Sequence, residues 1–385
     1  MRVVIVGGGP AGATTAETLV REGDEVVLLE RDLSYSKPCG GGIPSTLVEE
    51  FSIPEEILEC RIREVHFYAP SGRGALIGLP QGYIGTVKRE VFDGYLRQRA
   101  VAAGAQLIEG SFTSLEVGRD GVKVFYRHQG VEAWISADAL IGADGAHSRV
   151  ARLLGLERQS GAITLQEHLA LPEERTTRLR RVDCQFYFAT RVSPDFYGWV
   201  FPRGDHLVVG TATRSDGKRD LPFLLENLKA SAGLNGHRVL RREAYPLPTR
   251  PLSTWTRDRV LLVGDAAGLV APATGEGIYY AMKSGQMAAV TLIEHRRAPS
   301  GKNLGEYQNR WQRRFGRTFG LLERLQETYY GDDKAREAFV EICGQLDIRQ
   351  IPRVSLDLRR LKGSLGKAIA ARILLYLMGH LLVRR

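Results

Sequence analysis

Cysteine is scarce in this sequence, where 385 residues contain four cysteines. Their positions form neither a CxxC pair nor another spacing typical of zinc ligands, and four scattered thiols do not make the dense framework of a small secreted domain. We therefore expect no metal site, no disulfide scaffold and a reducing compartment for the protein. The four residues are Cys39, Cys60, Cys184 and Cys343.

Long apolar runs are equally absent. The longest run, residues 373–383, has 11 residues and contains Gly379 and His380, whereas a helix that spans a bilayer needs about 20 apolar residues. Met1 and Arg2 lead directly into a strand pattern, so we expect no signal peptide. These features predict a cytoplasmic protein that does not cross a membrane. They leave open whether the protein binds to a membrane surface.

Positive charge is concentrated near one end of the chain. The whole chain carries +9, and residues 351–385 contain eight Lys and Arg against one Asp. Such a tail is either a solvated helix or a surface attracted to anionic groups such as lipid headgroups. Apolar residues within 369–383 recur close to helical spacing, so this segment either contacts a membrane interface or packs on the rest of the protein. We expect no nucleic-acid partner.

The N-terminal pattern predicts a βαβ unit that binds a dinucleotide. Gly7, Gly9 and Gly12 form GxGxxG after an apolar strand and before a helix, and Glu30 ends the next strand pattern 18 residues beyond Gly12. The first glycine permits the tight turn, the second admits a pyrophosphate, and the third allows close packing of helix and strand. Glu30 is expected to bind ribose hydroxyls. The neighbouring residues Ala11 and Arg31 complete this part of the predicted cofactor site.

Two later segments decide between NAD and FAD, which the glycine motif accommodates equally well. Residues 142–145 and 264–268 place Asp144 and Asp265 just past strand ends, where ligands of open α/β sheets bind. They resemble the two internal fingerprints of the flavoprotein hydroxylase superfamily. In that resemblance Asp265 contacts the ribityl and phosphate region of FAD, and residues 272–277 run beside the flavin ring.

The same resemblance implies further contacts with FAD. It adds Gly275, Gly277 and Ile278 from the segment beside the flavin ring. Arg89 matches a position that commonly touches FAD in this superfamily, although a capping or surface arginine remains the alternative. The helix after this segment would direct the positive end of its dipole toward the reduced flavin.

The order of the patterns predicts an α/β protein of two domains and a tail. We expect a Rossmann-like FAD-binding domain of the glutathione-reductase type from residues 1–60, 88–160 and 250–300. Residues 61–87 and 161–249 are expected to form an inserted antiparallel β-sheet domain that binds substrate. Residues 301–385 are expected to form a helical C-terminal region.

Three segments together resemble the geranylgeranyl reductase family: residues 37–44, 197–202 and 274–279. The resemblance extends from Met1 to about residue 342, and residues 329–343 further resemble the branch that makes the phytyl chain of chlorophylls. It implies FAD-dependent reduction of isolated C=C bonds in a geranylgeranyl chain, carried on a chlorophyll-type pigment, a prenyl lipid or a diphosphate. The chemistry is a hydride from flavin N5 and a proton.

The candidate catalytic residues follow from these segments. Cys39 and Gly41 lie in a Gly-rich loop that the resemblance places near the flavin, although a small buried cysteine is usually inert. Tyr197, Trp199 and Phe201 alternate along a strand pattern and so share one face, which is either the wall of a lipid tunnel or plain core. The sequence does not indicate which histidine or carboxylic acid, if any, supplies the proton.

Electrons must reach the flavin from outside, because no second GxGxxG follows a strand pattern elsewhere in the sequence. We expect NADPH or a reduced ferredoxin-like carrier as a transient donor. Three alternatives remain at this point. They are an FAD-dependent monooxygenase or halogenase of the same superfamily, an archaeal-type lipid reductase, and a flavin-binding membrane or assembly factor.

Overall fold

A computed structural model describes residues 1–79, 82–156, 161–171, 183–214 and 220–345. Contacts divide the chain into two compact units, each built from three segments. Unit 1 comprises Met1–Lys37, Arg89–Gly161 and Pro246–Arg317, and unit 2 comprises Pro38–Lys88, Ala162–Tyr245 and Thr318–Arg385. Residues 38–60 therefore cluster with the second unit, whereas the sequence prediction assigned them to the FAD-binding domain.

The strands of the described residues are numbered in chain order. They are β1 Arg2–Val6, β2 Glu25–Glu30, β3 Gly42–Pro44, β4 Leu58–Ile62, β5 Glu64–Tyr68, β6 Gly74–Gly78, β7 Ile84–Val87, β8 Gln106–Glu109, β9 Ser111–Val117, β10 Val122–His128, β11 Val131–Ala137, β12 Ala139–Gly142, β13 Gly161–Ala170, β14 Cys184–Tyr187, β15 Gly198–Pro202, β16 His206–Arg214, β17 Val239–Pro248, β18 Thr256–Arg257 and β19 Val260–Leu262.

The helices are numbered in the same way. They are α1 Pro10–Arg21, α2 Ser45–Glu50, α3 Arg89–Ala103, α4 Arg149–Leu153, α5 Leu221–Ser231, α6 Ile278–Glu294, α7 Gly301–Leu304, α8 Glu306–Trp311, α9 Arg317–Tyr329 and α10 Asp333–Gln345. A π-helical turn spans Gln312–Gly316, and 3₁₀ turns span Glu55–Ile57 and Gly264–Ala267.

Unit 1 contains a six-stranded sheet in the order β18-β19-β12-β1-β2-β8. All its pairs are parallel except β18 with β19. The central strand β1 is buried, and Val3, Val4 and Ile5 have no exposed surface, as expected when a parallel sheet is covered on both faces. A separate antiparallel meander, β9-β10-β11, belongs to the same unit. The parallel order brings the carboxyl ends of β1, β2, β12 and β19 to one edge.

Unit 2 contains a seven-stranded sheet in the order β17-β13-β16-β15-β14-β5-β6 and a three-stranded sheet in the order β3-β7-β4. The sequence predicted an antiparallel sheet, but β14 pairs with β5 in parallel, from Cys184 with Val65 to Tyr187 with Tyr68. No hairpin imposes the opposite direction, since the chain passes through unit 1 between these two strands. The β3-β7-β4 sheet explains why residues 38–60 cluster with this unit.

The start of α6 follows a turn that contains a left-handed glycine. Helix α6 begins at Ile278, and Gly275 before it has φ +65°, a left-handed conformation that does not continue a helix. Among the described residues, every helix is too short or too polar to cross a membrane. The basic tail, residues 351–385, and its apolar segment, 369–383, lie outside the described residues.

Candidate functional site

Three glycines build the turn between β1 and α1 in unit 1. Gly7 has φ +105°, and a Cβ there would lie 2.3 Å from the carbonyl oxygen of Ala143. A Cβ at Gly12 would lie 1.9 Å from the carbonyl oxygen of Gly7, while a Cβ at Gly9 would meet no atom of the described chain within 4 Å. The turn is closed toward the protein and open at Gly9, which is the form that a pyrophosphate cradle requires.

Helix α1 begins at the open side of this turn. Gly9 is its N-cap and Pro10 its first residue, and no described side chain accepts a capping hydrogen bond there. Proline suits this position because its missing N–H would have no partner within the helix. The remaining free N–H groups and the positive end of the helix dipole suit an anionic ligand.

Glu30 is attached to the Gly-rich turn. Its carboxylate accepts the N–H of Gly8 at 2.7 Å. The buried guanidinium of Arg97, from α3, donates to the carbonyl of Gly8 at 3.3 Å and to that of Leu33 at 2.9 Å. Sequence reasoning missed Arg97, since its partners lie 89 and 64 residues away and no local motif contains it. These bonds join the turn to the end of β2.

The two arginines predicted to touch FAD have different surroundings. Arg31 is exposed, and its guanidinium lies over the ring of Tyr35, 5.4 Å from the centroid. Arg89 is buried and forms two hydrogen bonds with the Asp93 carboxylate, at 2.9 and 2.8 Å. Arg89 is therefore held rigidly at the start of α3, and contact of either arginine with FAD stays a prediction.

Asp144 uses its carboxylate locally. It accepts the Ser148 hydroxyl at 2.6 Å and the backbone N–H groups of Arg149 and Val150 at 2.7 and 3.1 Å. These bonds cap α4, while desolvation raises the pKa of Asp144 above its ordinary value. The structure thus gives Asp144 a structural role after β12, and its predicted role toward FAD remains untested.

Asp265 lies in the 3₁₀ turn directly after β19. Its Oδ2 is 2.5 Å from Nζ of Lys37, a residue 228 positions away in the sequence. The side chain of Asp265 is 8% exposed and that of Lys37 is 24% exposed. This ion pair connects the turn after β19 with the loop after β2, so a carboxylate and an ammonium lie together at the carboxyl edge of the sheet.

The segment after this turn leads into α6. A Cβ at Gly277 would lie 3.8 Å from Oδ1 of Asp265, so the two residues are neighbours. Gly275 has φ +65°, and Ile278 is buried at the first position of α6. Between the glycines, Glu276 accepts the N–H of Tyr279 at 2.8 Å through Oε1. The structure thus brings Gly275, Gly277 and Ile278 together with Asp265, and their contact with FAD stays a prediction.

Ala11 lies where α1 packs against α6. A Cβ at Gly285 would lie 2.4 Å from the Ala11 carbonyl oxygen, and a Cβ at Gly264 would lie 3.1 Å from the Ala11 Cβ. Small residues on all three elements allow this close approach. It fixes the first turn of α1 relative to the start of α6 within unit 1.

In unit 2 the Gly-rich loop before β3 is held by a buried arginine. The guanidinium of Arg203 donates to the carbonyls of Gly40 at 3.1 Å and Val87 at 2.5 Å, and it also pairs with Glu59. Gly41 has φ +76°, and a Cβ there would lie 2.3 Å from Nη1 of Arg203. Any larger residue at position 41 would displace the guanidinium. Sequence reasoning missed both Arg203 and Glu59.

Cys39 lies beside this arrangement and is half-buried. Its Sγ accepts the N–H of Gly41 at 3.3 Å, and its carbonyl accepts Nε2 of Gln166 at 3.4 Å. Gln166 also donates to Glu243 at 2.9 Å, and Glu243 in turn is 3.1 Å from Nε2 of His168. The Cys39 loop is therefore anchored to β13 and β17 by a buried polar chain.

Tyr197, just before β15, and Trp199, within it, lie on one face of the strand. Their rings contact each other edge to face at 6.2 Å, and each residue is 7% exposed. Phe186 contacts both Tyr197 and Phe201 at 5.3 Å, so the three alternating aromatics share a face. Nε1 of Trp199 is buried and has no hydrogen-bond partner among the described residues, an unused donor within an apolar cluster.

The Gly-rich loop packs directly on this aromatic face. A Cβ at Gly40 would lie 2.9 Å from the ring of Phe201 and 3.6 Å from Nε1 of Trp199. Unit 2 thus brings four predicted residues together, namely Cys39, Gly41, Tyr197 and Trp199.

The residues of unit 1 fit FAD. The parallel strands place the glycine turn, Glu30 and Asp265 at one edge of the sheet, and the Gly9 side of the turn can admit a pyrophosphate. Among the described residues, no group of three or more His, Cys, Asp or Glu side chains could hold a metal ion.

Three comparisons relate the chain to known proteins. The family model described as FAD binding domain matches residues 1–317. A geranylgeranyl diphosphate reductase from Synechocystis sp. is 39% identical over 369 residues, which cover 91% of this chain and 90% of that relative. A digeranylgeranylglycerophospholipid reductase from Methanocaldococcus jannaschii is 32% identical over 334 residues, which cover 80% of this chain and 82% of that relative.

A solved structure shares the fold. It is described as a geranylgeranyl bacteriochlorophyll reductase-like protein from Thermoplasma acidophilum, and it superposes with a TM-score of 0.83 over 98% of both chains at 22% identity. The α/β flavoprotein fold predicted from the sequence is therefore confirmed.

Proposed function

The chain belongs to the FAD binding domain family and, within it, to the geranylgeranyl reductases, and from this premise we propose that it saturates isolated C=C bonds of a geranylgeranyl chain. The observation that carries the proposal is the likeness to a geranylgeranyl diphosphate reductase, which covers 91% of this chain and 90% of that relative. The substrate is the geranylgeranyl group of a chlorophyll-type pigment or of the diphosphate. The product is the corresponding phytyl form.

The cofactor FAD supplies a hydride when it is bound and reduced. The glycine turn and the N-terminus of α1 would hold its pyrophosphate, Glu30 its ribose, and Asp265 its ribityl side. Lys37 already pairs with Asp265, so an ammonium is available beside the carboxylate when a charged cofactor binds. Gly275, Gly277 and Ile278 would lie along the flavin ring.

Unit 2 is proposed to bind the prenyl chain. The aromatic face of Tyr197, Trp199 and Phe201 is apolar, and the Gly-rich loop approaches it closely because Gly40 lacks a side chain. An isolated alkene offers no polar group to grip, so its orientation depends on apolar packing. Cys39 and Gly41 are proposed to shape this surface, with Arg203 holding the loop.

NADPH or a reduced ferredoxin-like carrier is proposed as the electron donor. The support is that GxGxxG after a strand pattern occurs once in the sequence, so a permanent second nicotinamide domain of that type is not encoded. Anaerobic mixing of the FAD-loaded protein with either donor, followed by loss of the oxidised flavin absorbance, measures which one reduces it. If neither donor reduces the flavin faster than buffer alone, both donors are rejected.

The function itself is tested anaerobically. The purified flavoprotein is reduced with dithionite and mixed with geranylgeranyl diphosphate, geranylgeranylated chlorophyllide or a digeranylgeranyl glycerolipid, and the products are analysed by mass spectrometry. We expect products heavier by two hydrogens for each bond reduced, with matching reoxidation of the flavin. The substrate that reacts identifies the head group.

Unchanged substrates with an FAD-loaded protein would overturn the proposal. Oxygen uptake coupled to hydroxylation or halogenation of a substrate would then favour the monooxygenase or halogenase alternative. Binding of FAD and vesicles without any turnover would favour a membrane or assembly factor.

A further inference from the structure

Reduction of an isolated alkene needs a proton as well as a hydride, and the sequence assigns no carboxylic acid or histidine to the delivery of this proton. Tyr279 and Tyr280, at the start of α6, are 3% and 0% exposed. The Tyr280 ring contacts Trp311 at 5.7 Å and Phe315 at 5.4 Å. These two tyrosines pack in an aromatic cluster within unit 1.

Glu276 lies in the turn between the two glycines predicted to border the flavin. The turn is closed by hydrogen bonds from the N–H of Ala271 to the Glu276 carbonyl and from the N–H of Gly275 to the Ala271 carbonyl, both 2.9 Å long. The next residue, Gly277, is a neighbour of the Asp265 carboxylate. Glu276 is therefore fixed at the edge of the sheet where ligands of this fold bind.

The surroundings of Glu276 favour its neutral form. Desolvation is the largest effect and raises the pKa of Glu276 to about 7, against the opposing influence of the N–H groups of Tyr279 and Ile278 and of Arg89. Arg89, whose guanidinium forms two hydrogen bonds with Asp93, is the smallest of these opposing influences. Asp265, the other nearby carboxylate, is paired with Lys37. A raised carboxyl pKa means that the group keeps its proton to higher pH.

The hydrogen bond from Tyr279 does not require a charge on Glu276. The N–H of Tyr279 donates to Oε1, and the carbonyl oxygen of an amide would accept the same N–H. A capping role alone would thus be served equally by glutamine. The Glu276→Gln substitution therefore separates the capping hydrogen bond from the proton.

We propose that Glu276 is the proton donor in alkene reduction, an inference that rests on the proposed function. One alkene carbon receives the hydride given up by the reduced flavin, the other receives the Glu276 proton, and the π bond is replaced by two C–H bonds. The flavin is oxidised, the alkene is reduced, and Glu276 is left as a carboxylate. It regains a proton from water while NADPH or the reduced carrier supplies the next two electrons.

The main test compares wild type with Glu276→Gln, which keeps the bond to Tyr279 but has no proton to give. Reoxidation of dithionite-reduced flavin by the geranylgeranyl substrate is followed over a range of about pH 5.5 to 9. We expect the wild-type rate to fall as pH rises through the pKa, and the variant to be at least about 100-fold slower with no such pH dependence. Glu276→Asp, which keeps an acid, should restore a pH-dependent rate in part.

A second measurement does not depend on turnover. Negative charge on the reduced flavin should favour a protonated carboxyl nearby, so wild type should take up more protons per FAD reduced than Glu276→Gln near neutral pH. A pH-indicator dye measures the number of protons taken up during anaerobic photoreduction of the flavin. Glu294→Gln, at the exposed end of α6 and paired with Arg310, is the control and should behave as wild type in both assays.

The outcomes separate the two proposals. If no substrate reoxidises wild-type flavin, the proposed function fails, whatever the proton count. If wild type turns over and Glu276→Gln matches its rate and pH profile, Glu276 is not the donor. Equal proton uptake by the two proteins at every pH between about 5.5 and 9 also overturns the assignment, because it shows that the pKa of Glu276 does not respond to flavin reduction.

Discussion

A methyl group added at Gly12 would lie 1.9 Å from the Gly7 carbonyl oxygen, whereas one added at Gly9 would meet no described atom within 4 Å. Two glycines of one motif thus have different physical tasks. Gly12 permits the packing of helix against turn, and Gly9 leaves room for a ligand.

This difference predicts separable effects of two alanine substitutions. Gly12→Ala should destabilise the protein with or without FAD, because backbone must move to admit the methyl group. Gly9→Ala should leave the melting temperature of the FAD-free protein unchanged but weaken FAD binding at least about tenfold, since the methyl group enters the pyrophosphate space. Thermal unfolding and fluorescence titration with FAD measure the two effects. A Gly9→Ala protein with normal FAD affinity would contradict the cradle assignment.

The side chain of Arg203 holds the Gly-rich loop before β3 in its conformation. Its buried guanidinium pairs with Glu59 and holds the carbonyls of Gly40 and Val87. Removal of the arginine leaves two carbonyls without this donor and leaves the largely buried Glu59 carboxylate with only the ammonium of Lys88, 3.8 Å away. Breaking such a buried pair typically costs about 3–5 kcal/mol.

We therefore expect Arg203→Met to lower the free energy of unfolding by about 3–5 kcal/mol in urea titrations. The double variant Arg203→Met with Glu59→Gln should recover part of this loss, because the buried charge is removed together with its partner. FAD content should be retained, since none of these residues belongs to unit 1. No recovery in the double variant would show that the lost carbonyl contacts, rather than the broken Arg203–Glu59 pair, dominate.

At the scale of elements, the crossing of α1 and α6 determines how the cofactor turn is supported. A Cβ at Gly285 would lie 2.4 Å from the Ala11 carbonyl oxygen and 2.7 Å from Oγ1 of Thr15. The helices approach closely because a glycine faces the backbone of α1. Gly320, in the interior of α9, offers a matched comparison, since a Cβ added there would meet no described atom within 4 Å.

Gly285→Ala should destabilise the protein by about 1–3 kcal/mol through overpacking and should weaken FAD binding, because α1 shifts. Gly320→Ala should be neutral or stabilise by about 0.5–1 kcal/mol, since alanine costs less chain entropy in a helix. Chemical denaturation and FAD titration of both variants check these values. Similar effects at the two positions would mean that the close crossing does not control stability.

The turn before α6 is the second element with a consequence for function. Gly275 in a left-handed conformation delays the helix until Ile278 and leaves Glu276 outside it. The left-handed conformation of Gly275 therefore also keeps Glu276, the carboxyl that we propose as the proton donor, in the turn before α6.

At the scale of the whole molecule, each unit is assembled from three separate segments of the chain. The predicted cofactor residues come from all three segments of unit 1, and the Cys39 loop and the aromatic face come from different segments of unit 2. The basic tail, residues 351–385, lies outside the described residues, and its contact with membranes stays a proposal based on charge.

The membrane role of the tail is tested by deletion of residues after Gly366. This change removes four of the tail's basic residues and its apolar run, and it should abolish pelleting with anionic vesicles while FAD binding is retained. Neutral vesicles and high salt serve as controls, because charge attraction is screened by salt. A shortened protein that still pellets with anionic vesicles would contradict the membrane role.

The sequence by itself determined the dinucleotide-binding opening, the two acidic positions after strands and the family. These features depend on local patterns, because strand periodicity, turn glycines and a helix start are each set by neighbouring residues. The segment carrying Gly275, Gly277 and Ile278 was implied by the resemblance to the flavoprotein hydroxylase superfamily, and the structure brings it to Asp265. The roles of the individual site residues remain predictions for experiment.

Only the tertiary structure decided which long-range partners complete the site. Arg203 meets Glu59 across 144 residues, and Lys37 meets Asp265 across 228. Asp144 proved to cap α4, and Glu276 acquired its raised pKa through desolvation. The physical reason is that burial and pairing depend on groups brought together by packing, and no local pattern in the sequence specifies how much water each carboxyl loses.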